Sequence, residues 1–378
     1  MIIKNASVYT EDGFFQKKDI FIENDHFVSA KDDVTDQTEI DGTGCVAIPG
    51  LIDIHFHGCA GYDFCDGTLE AIDAIAAYEA SVGVTCIVPA TMTLSEEKLL
   101  KICSAARCYR EKGIRKRRAR LCGINMEGPF IAAGKKGAQN EDYIRKPNIG
   151  MFDKINEASG YMVKLLAIAP ETEGAMKFIE KKHEDVVISL AHTASDYETA
   201  MEAFHKGAIH VTHLYNAMNP YTHRAPGLIG AAADTEKVDV ELICDGVHIH
   251  PAAVRTTFKI FGDDRIILIS DSMMATGLMD GNYTLGGQAV KVVGNLATLK
   301  DGTIAGSSTD LLGCFRTAVL KMGIPLESAV KCATANPAKS IGIYESYGSI
   351  SPGKKASVLL LTEDNLNLKQ VILDGELL

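Results

Sequence analysis

Residues 50–58 read GLIDIHFHG. A short, β-branched apolar run ends on two histidines and a glycine. A run of four to eight apolar residues bounded by turn signals suits a strand buried on both faces. The same form recurs as VTCIVPAT (84–91), RLCGINMEG (120–128), VKLLAIAPE (163–171), DVVISLAHT (185–193), AIHVTHLYN (208–216), VELICDGVH (240–248) and RIILISDSM (265–273). Longer helix-like segments lie between them. This alternation predicts repeated βα units and an α/β fold with a parallel sheet. Eight units predict a (β/α)8 TIM-like barrel.

Working outward, the 378 residues exceed a single barrel of roughly 250 residues, so a second, smaller unit is expected. Residues 1–49 contain short alternating pieces, IIKNASVYT and KDIFIEND, separated by turn residues. The C-terminal ASVLLLTEDNLNLKQVILDGELL has the same character. The expected organisation is a β-sandwich formed from 1–49 plus 344–378, and a metal-dependent barrel over 50–343. Residues from about 281 to 306 read as an inserted, hairpin-rich loop. Helical material returns at 309–341, with Pro325 at a helix start and Asn336-Pro337 as a break.

The formal net charge of −11 argues against a general affinity for nucleic acid or for a membrane surface. The basic run RKRRAR, Arg115 to Arg120, reads as a solvated loop between a helix and a strand. The opening MIIKNASVYT lacks the apolar core of a signal peptide. No apolar run reaches the roughly 18 residues of a membrane span. Ten cysteines without a CxxC pair read as reduced thiols, so a cytoplasmic protein is expected.

The chemistry sits at one edge. Catalytic groups of such a barrel come from the C-terminal ends of its strands, and here those ends carry His55, His57, Glu127, His192, His213, His248 and Asp271. His55 and His57 share a strand face because side chains alternate with period two. Either they hydrogen-bond locally or they share a metal. Glu127 precedes Gly128-Pro129 and is either a metal ligand or a loop carboxylate. With His192 and His213 it forms a known catalytic zinc set that leaves room for a water, whose pKa falls towards about 7. Asp271 is placed to relay a proton, or simply to cap a strand. His248 is placed to hold substrate or polarise a carbonyl, or is structural. Arg224, in the turn-rich NPYTHRAPG (219–227), suits an oxyanion or a surface ion pair. His210 is odd-spaced from His213 and is expected to face the other way; His205 is expected on a helix surface.

Several motifs together resemble a known family. They are EGPF (127–130), KKGA (135–138), AHT (191–193), THLYNAM (212–218), DGVH (245–248) and SDSM (270–273). They are similar to those of the N-acetylglucosamine-6-phosphate deacetylases of the amidohydrolase superfamily, and the likeness spans nearly the whole chain. The resemblance implies metal ligands Glu127, His192 and His213, and Asp271 as proton donor and acceptor. It implies substrate contacts at Ala138, Gln139, Asn216, Ala217, Arg224, His248, Ile304, Ala305 and Gly306. Arg224 would meet the 6-phosphate, across the interface of a homodimer. Some family members carry His where Gln139 stands, and some lack the His-x-His pair. The presence of His55 and His57 therefore points to a second ion bridged by Glu127. The implied cofactor is a divalent metal, one or two ions, with zinc or iron best suited and manganese or cobalt possible.

The implied reaction is hydrolysis of N-acetylglucosamine 6-phosphate to glucosamine 6-phosphate and acetate. The N-acetylgalactosamine 6-phosphate epimer is an alternative substrate. A cyclic-amide hydrolase of the dihydroorotase or hydantoinase kind is a further alternative. Those enzymes place a modified lysine at a strand end, whereas no lysine ends the third or fourth run here. A barrel retained as a binding protein is the non-enzymatic alternative; loss of a ligand would favour it, and all are present.

Overall fold

The computed structural model describes residues 1–113 and 116–378. Each apolar run contains a parallel strand: β1 (Leu51–Asp53), β2 (Val84–Ile87), β3 (Ile124–Met126), β4 (Val163–Ile168), β5 (Val187–Leu190), β6 (His210–Val211), β7 (Asp239–Ile243) and β8 (Ile266–Ile269). Strands β3 to β8 form one six-stranded parallel sheet in sequence order. Strands β1 and β2 pair in a second sheet, with the short strand Arg120–Leu121 on the far side of β2. Backbone hydrogen bonds run between residues at or just beyond the strands of the two sheets. Asn125 N–H donates to Pro89 O at 3.0 Å, and Asp271 N–H donates to His55 O at 2.9 Å.

The apolar runs are nearly continuous because both faces of these strands are buried. Leu166, Ile188, Leu242 and Leu268 join the large cluster shared with the helices. Their neighbours Leu165, Ile243, Ile267 and Ile269 join a second cluster with Ile52, Cys86 and Ala338. The helices are α1 (Leu69–Ser81), α2 (Glu96–Glu111), α3 (Ile149–Ala158), α4 (Ala175–Lys182), α5 (Tyr197–His205), α6 (Gly227–Ala233), α7 (Pro251–Phe261), α8 (Leu311–Leu320), α9 (Leu326–Ala333) and α10 (Ala335–Ser340). Side chains cap several of them: Thr68 accepts from Ala71 N–H, Ser95 from Lys98, Asn148 from Met151 and Asp196 from Thr199. Each such cap contributes about 1 kcal/mol.

Pro325 precedes α9 as expected, but the break falls elsewhere. Asn336 and Pro337 lie inside the first turn of α10, where a missing N–H costs little. The chain turns instead at Thr334, with φ −135° and ψ −75°.

Strands from both ends of the chain pair with one another. One six-stranded sheet has the order 376–377, 368–373, 358–362, 45–49, 7–9, 15–17. A four-stranded sheet, built from 26–28, 20–23, 2–4 and 39–41, shares one apolar cluster with it. Residues 281–298 form a three-stranded antiparallel sheet.

The basic run is solvated at Lys116 and Arg117, as expected of a loop, and partly buried at Arg118 and Arg120. Arg115 lies outside the described residues. Lys116 pairs with Glu376 at 2.7 Å, Arg118 with Asp73 at 3.0 Å and Arg120 with Asp374 at 2.6 Å. Asp73 lies on α1, Glu376 on the last strand and Asp374 in the turn before it. No helix among the described residues is long and apolar enough to cross a membrane.

Candidate metal centre and active site

Six polar residues at the strand ends meet in one buried place, and a seventh, His248, lines the same cavity. His192 Nε2 and His213 Nε2 lie 3.0 and 3.1 Å from Glu127 Oε1. The two nitrogens are 3.2 Å from each other. His55 Nε2 lies 3.4 Å from the same oxygen. His57 Nε2 lies 3.3 Å from Glu127 Oε2 and 3.2 Å from Asp271 Oδ1. Two groups can thus hold an ion: Glu127, His192 and His213, and His55, His57 and Asp271. Within each group the ligand atoms lie within 4.8 Å of one another.

The donor set fits a divalent cation on two counts. Imidazole and carboxylate are the usual ligands of zinc and related ions. His55 Nε2 and Asp271 Oδ1 are also buried without a hydrogen-bond partner among the described residues, a costly arrangement that a shared ion would relieve.

The backbone is bent to deliver these groups. His192, His213, Tyr215, Ala217 and Asp271 have φ of 45°, 31°, 80°, 51° and 49°. Non-glycine residues there cost of order 1–3 kcal/mol each and cluster at functional sites. Gly128 has φ 86°, and a Cβ on it would lie 2.1 Å from Thr93 Oγ1, so only glycine lets the chain turn directly after Glu127.

Neighbouring groups hold the candidate ligands. His192 Nδ1 donates to the Lys135 carbonyl at 2.9 Å, which leaves the Nε2 lone pair, beside Glu127, for an ion. Glu171, at the end of the fourth run, accepts from Thr193 Oγ1 at 2.5 Å and from Ala194 N–H at 2.6 Å. Gln139 is buried; its amide nitrogen donates to Glu127 Oε2 at 2.7 Å and its oxygen accepts from Thr93 N–H at 2.6 Å. His248 Nδ1 donates to Asp245 Oδ2 at 2.8 Å, and Asp245 Oδ1 accepts the Val247 and His248 backbone N–H groups.

Electrostatics follow burial and charge. Burial opposes ionisation of Glu127, but His55, His192 and His213 outweigh it and hold the carboxyl well below its usual range. Asp271 is likewise depressed against its burial, chiefly by His57 and then His55. Burial lowers the basicity of His248, but the Asp245 carboxylate reverses this and raises it.

Above these groups opens a cavity of about 260 Å³. His57, Glu127, His192, His213, His248 and Asp271 line it, as do Ala138, Gln139, Asn216, Ala217, Ile304 and Gly306. Met92, Leu285 and Thr303, which the sequence did not single out, line it too. Gln288 Nε2 donates to the Ala138 carbonyl, tying the 281–298 sheet to the cavity loop.

Two expected substrate contacts lie outside this cavity, and the expectation for His210 is also not met. Ala305 is fully buried beside the cavity rather than in it. Arg224 is exposed and lines a separate cavity with Asp196 and Tyr197. His210 does not face away from the site. Its Nε2 lies 3.8 Å from Glu241 Oε1, and Glu241 accepts from His55. The left-handed turn at His213 breaks the alternation on which the opposite expectation rested. His205 is exposed at the end of α5, as expected.

Relatives share this architecture. The profile of the Amidohydrolase family matches residues 46–378. The chain is 36% identical to the N-acetylglucosamine-6-phosphate deacetylase of Bacillus subtilis (strain 168), over 84% of this chain and 81% of that protein. It is 32% identical to the N-acetylgalactosamine-6-phosphate deacetylase of Escherichia coli O157:H7, over 100% of this chain and 98% of that one. Among solved structures it is similar to a mutant of the Mycobacterium smegmatis N-acetyl-D-glucosamine-6-phosphate deacetylase in complex with N-acetyl-D-glucosamine-6-phosphate. That match has a TM-score of 0.92 at 30% identity and covers 100% of this chain and 98% of that one. With 333 residues of matched profile and relatives aligned along most of its length, the chain belongs to the amidohydrolase family.

Proposed function

We propose that this chain is a metal-dependent deacetylase that hydrolyses N-acetylglucosamine 6-phosphate to glucosamine 6-phosphate and acetate in amino sugar breakdown. The observation that carries this reading is the convergence of two ligand groups on Glu127, under a cavity also lined by Asp271 and His248. The names of the relatives supply the substrate class.

Glu127, His192 and His213 would hold one divalent ion, and His55, His57 and Asp271 a second, with Glu127 between them. Zinc or iron suits the donors best; manganese or cobalt is an alternative. The metal supplies polarisation of the acetamido carbonyl and acidification of a water. Asp271 accepts the proton of a water as its oxygen bonds to the acetyl carbon, and delivers that proton to the amine nitrogen as the C–N bond breaks, leaving acetate. His248 keeps its charge further up the pH scale because of Asp245, so Nε2–H is available to the carbonyl oxygen as negative charge develops. Ala138, Gln139, Asn216, Ala217, Ile304 and Gly306 form the cavity wall available to the sugar.

Several structural readings belong with this function. The hydrogen bonds at both sheet edges support a closed (β/α)8 barrel. The paired terminal strands support a β-sandwich unit of 1–49 plus 344–378 beside a unit of 50–343. Arg224 would reach a 6-phosphate from the second subunit of a homodimer, because in its own chain it lines a different cavity. Sedimentation as a monomer would remove that role. Ten free cysteines support a cytoplasmic setting.

The direct test incubates the purified protein with N-acetylglucosamine 6-phosphate and measures acetate and primary amine. Absence of both products after zinc, iron, manganese and cobalt have each been restored overturns the assignment. The Escherichia coli relative, matched along the entire chain, favours one second reading: the galactosamine epimer as substrate. Comparing kcat/KM for the two epimers decides between them.

A further inference from the structure

Glu241 lies in the middle of β7 and is fully buried. A charge in that position is costly unless it is used. Its Oε2 accepts the His55 Nδ1–H at 2.9 Å and the His213 backbone N–H at 3.0 Å. Its Oε1 has no hydrogen-bond partner among the described residues and lies 3.8 Å from His210 Nε2. His210 is held in turn, with Nδ1 2.9 Å from Ser189 Oγ, and Ser189 Oγ 2.5 Å from Thr212 Oγ1. The acid thus places one oxygen on two candidate ligands, while the other faces the buried His210 without a hydrogen bond.

We propose that Glu241 is a positioning residue that sets His55 as a ligand and thereby secures the ion of the His55, His57 and Asp271 group. This rests on the two-ion reading above. An imidazole that donates through Nδ1 carries its lone pair on Nε2. His55 Nε2 has no hydrogen-bond partner among the described residues and lies 3.4 Å from Glu127 Oε1 and 3.7 Å from Asp271 Oδ1. A carboxylate behind a ligating histidine fixes its ring and raises its basicity, and its loss costs about 10–100-fold in metal affinity or activity. The two bonds made by Glu241 are unequal in consequence. His213 also has its place set by the backbone, since Asn216 N–H donates to His213 O at 2.9 Å and Leu214 N–H to Glu241 O at 2.9 Å. The His55 ring has Glu241 as its hydrogen-bond partner at Nδ1. Loss of the carboxylate should therefore fall on the His55 group.

The test is metal titration of chelator-treated protein with zinc, read as ions per chain and as separate affinities, for wild type, Glu241→Gln, Glu241→Leu and His55→Gln. Thermal melts of each metal-free variant establish that it is folded. The expected result is two ions on the wild type. Glu241→Gln should bind one ion with wild-type affinity and the other about 10–100-fold more weakly. Glu241→Leu should resemble His55→Gln, with one ion per chain. Two ions at wild-type affinity in both Glu241 variants, or an equal weakening of both ions, overturns the role of Glu241 and leaves the two-ion reading standing. A folded wild type that takes one ion overturns the two-ion reading itself. If Glu241→Leu does not fold, Glu241→Gln alone decides the matter, because it keeps the shape and removes the charge.

Discussion

Gln139 Nε2 donates to Glu127 Oε2 across 2.7 Å, and both residues are buried. The bond occupies one lone pair of an oxygen that also faces His57 at 3.3 Å. Gln139 therefore orients the carboxylate shared by both ligand groups, besides lining the cavity. Gln139→Leu keeps approximate volume and removes the donor. Its expected effect is a fall of about 10–100-fold in metal affinity or kcat. Gln139→His restores a donor at the same place and should recover part of the loss. Metal titration and steady-state kinetics check both; wild-type values for Gln139→Leu would remove the residue from the site's support.

Asp271→Asn removes the group proposed to carry the proton while keeping its size. Turnover should fall by about 10²–10⁴-fold. Because Asp271 Oδ1 faces His55 and His57, the ion of that group should weaken too. The ion of the Glu127, His192 and His213 group should remain at full occupancy. Elemental analysis beside the acetate assay separates the two effects. Unchanged turnover would exclude Asp271 as the acid and base.

What is legible in the sequence follows from how locally each feature is encoded. The eight runs identify the strands because burial on both faces leaves an unbroken apolar signature. The chemical edge is legible because its residues follow those runs directly, as His192 and Asp271 do. Glu241 is hidden inside VELIC and reads only as part of a strand; the signal is there, an acid in an otherwise apolar run. The expectation for His210 fails because period-two alternation holds only while the strand continues, and the backbone leaves it at His213. Met92 and Leu285 reach the cavity from loops and an inserted sheet. Nothing in their neighbours fixes where such segments fold back. The bond between Gln139 and Glu127 spans twelve residues of loop and is likewise out of reach.

Asp245 raises the basicity of His248 against the opposing effect of burial, through a 2.8 Å bond and its charge. If His248 acts as a cation, activity is present below its pKa and is lost as pH rises through it. Asp245→Asn removes the charge, so the pKa drops and the alkaline limb of kcat/KM moves to lower pH. Removing a hydrogen bond to a charged group costs about 1.5–3 kcal/mol, or roughly 10–150-fold in kcat/KM on the alkaline side of the profile. A pH profile of both proteins under saturating metal measures the shift. An unmoved alkaline limb would assign that limb to another group and His248 to a passive wall.

Asp239 opens β7 beside the helical layer, and burial raises its pKa from 3.8 to about 6. The folded chain therefore keeps this proton up to about pH 6, while the unfolded chain releases it near pH 4. Between those values the native state binds more protons, so stability falls as pH rises and stays lower above pH 6. Asp239→Asn carries no such dependence. The variant should match the wild type near pH 4 and exceed it by about 1–3 kcal/mol at pH 8, the lower figure allowing for solvent screening of a partly buried group. Denaturant melts of metal-free protein at the two pH values measure the difference without interference from ion binding. An equal stability difference at both values would mean that the carboxyl is ionised throughout, with Arg265 neutralising it rather than burial holding its proton.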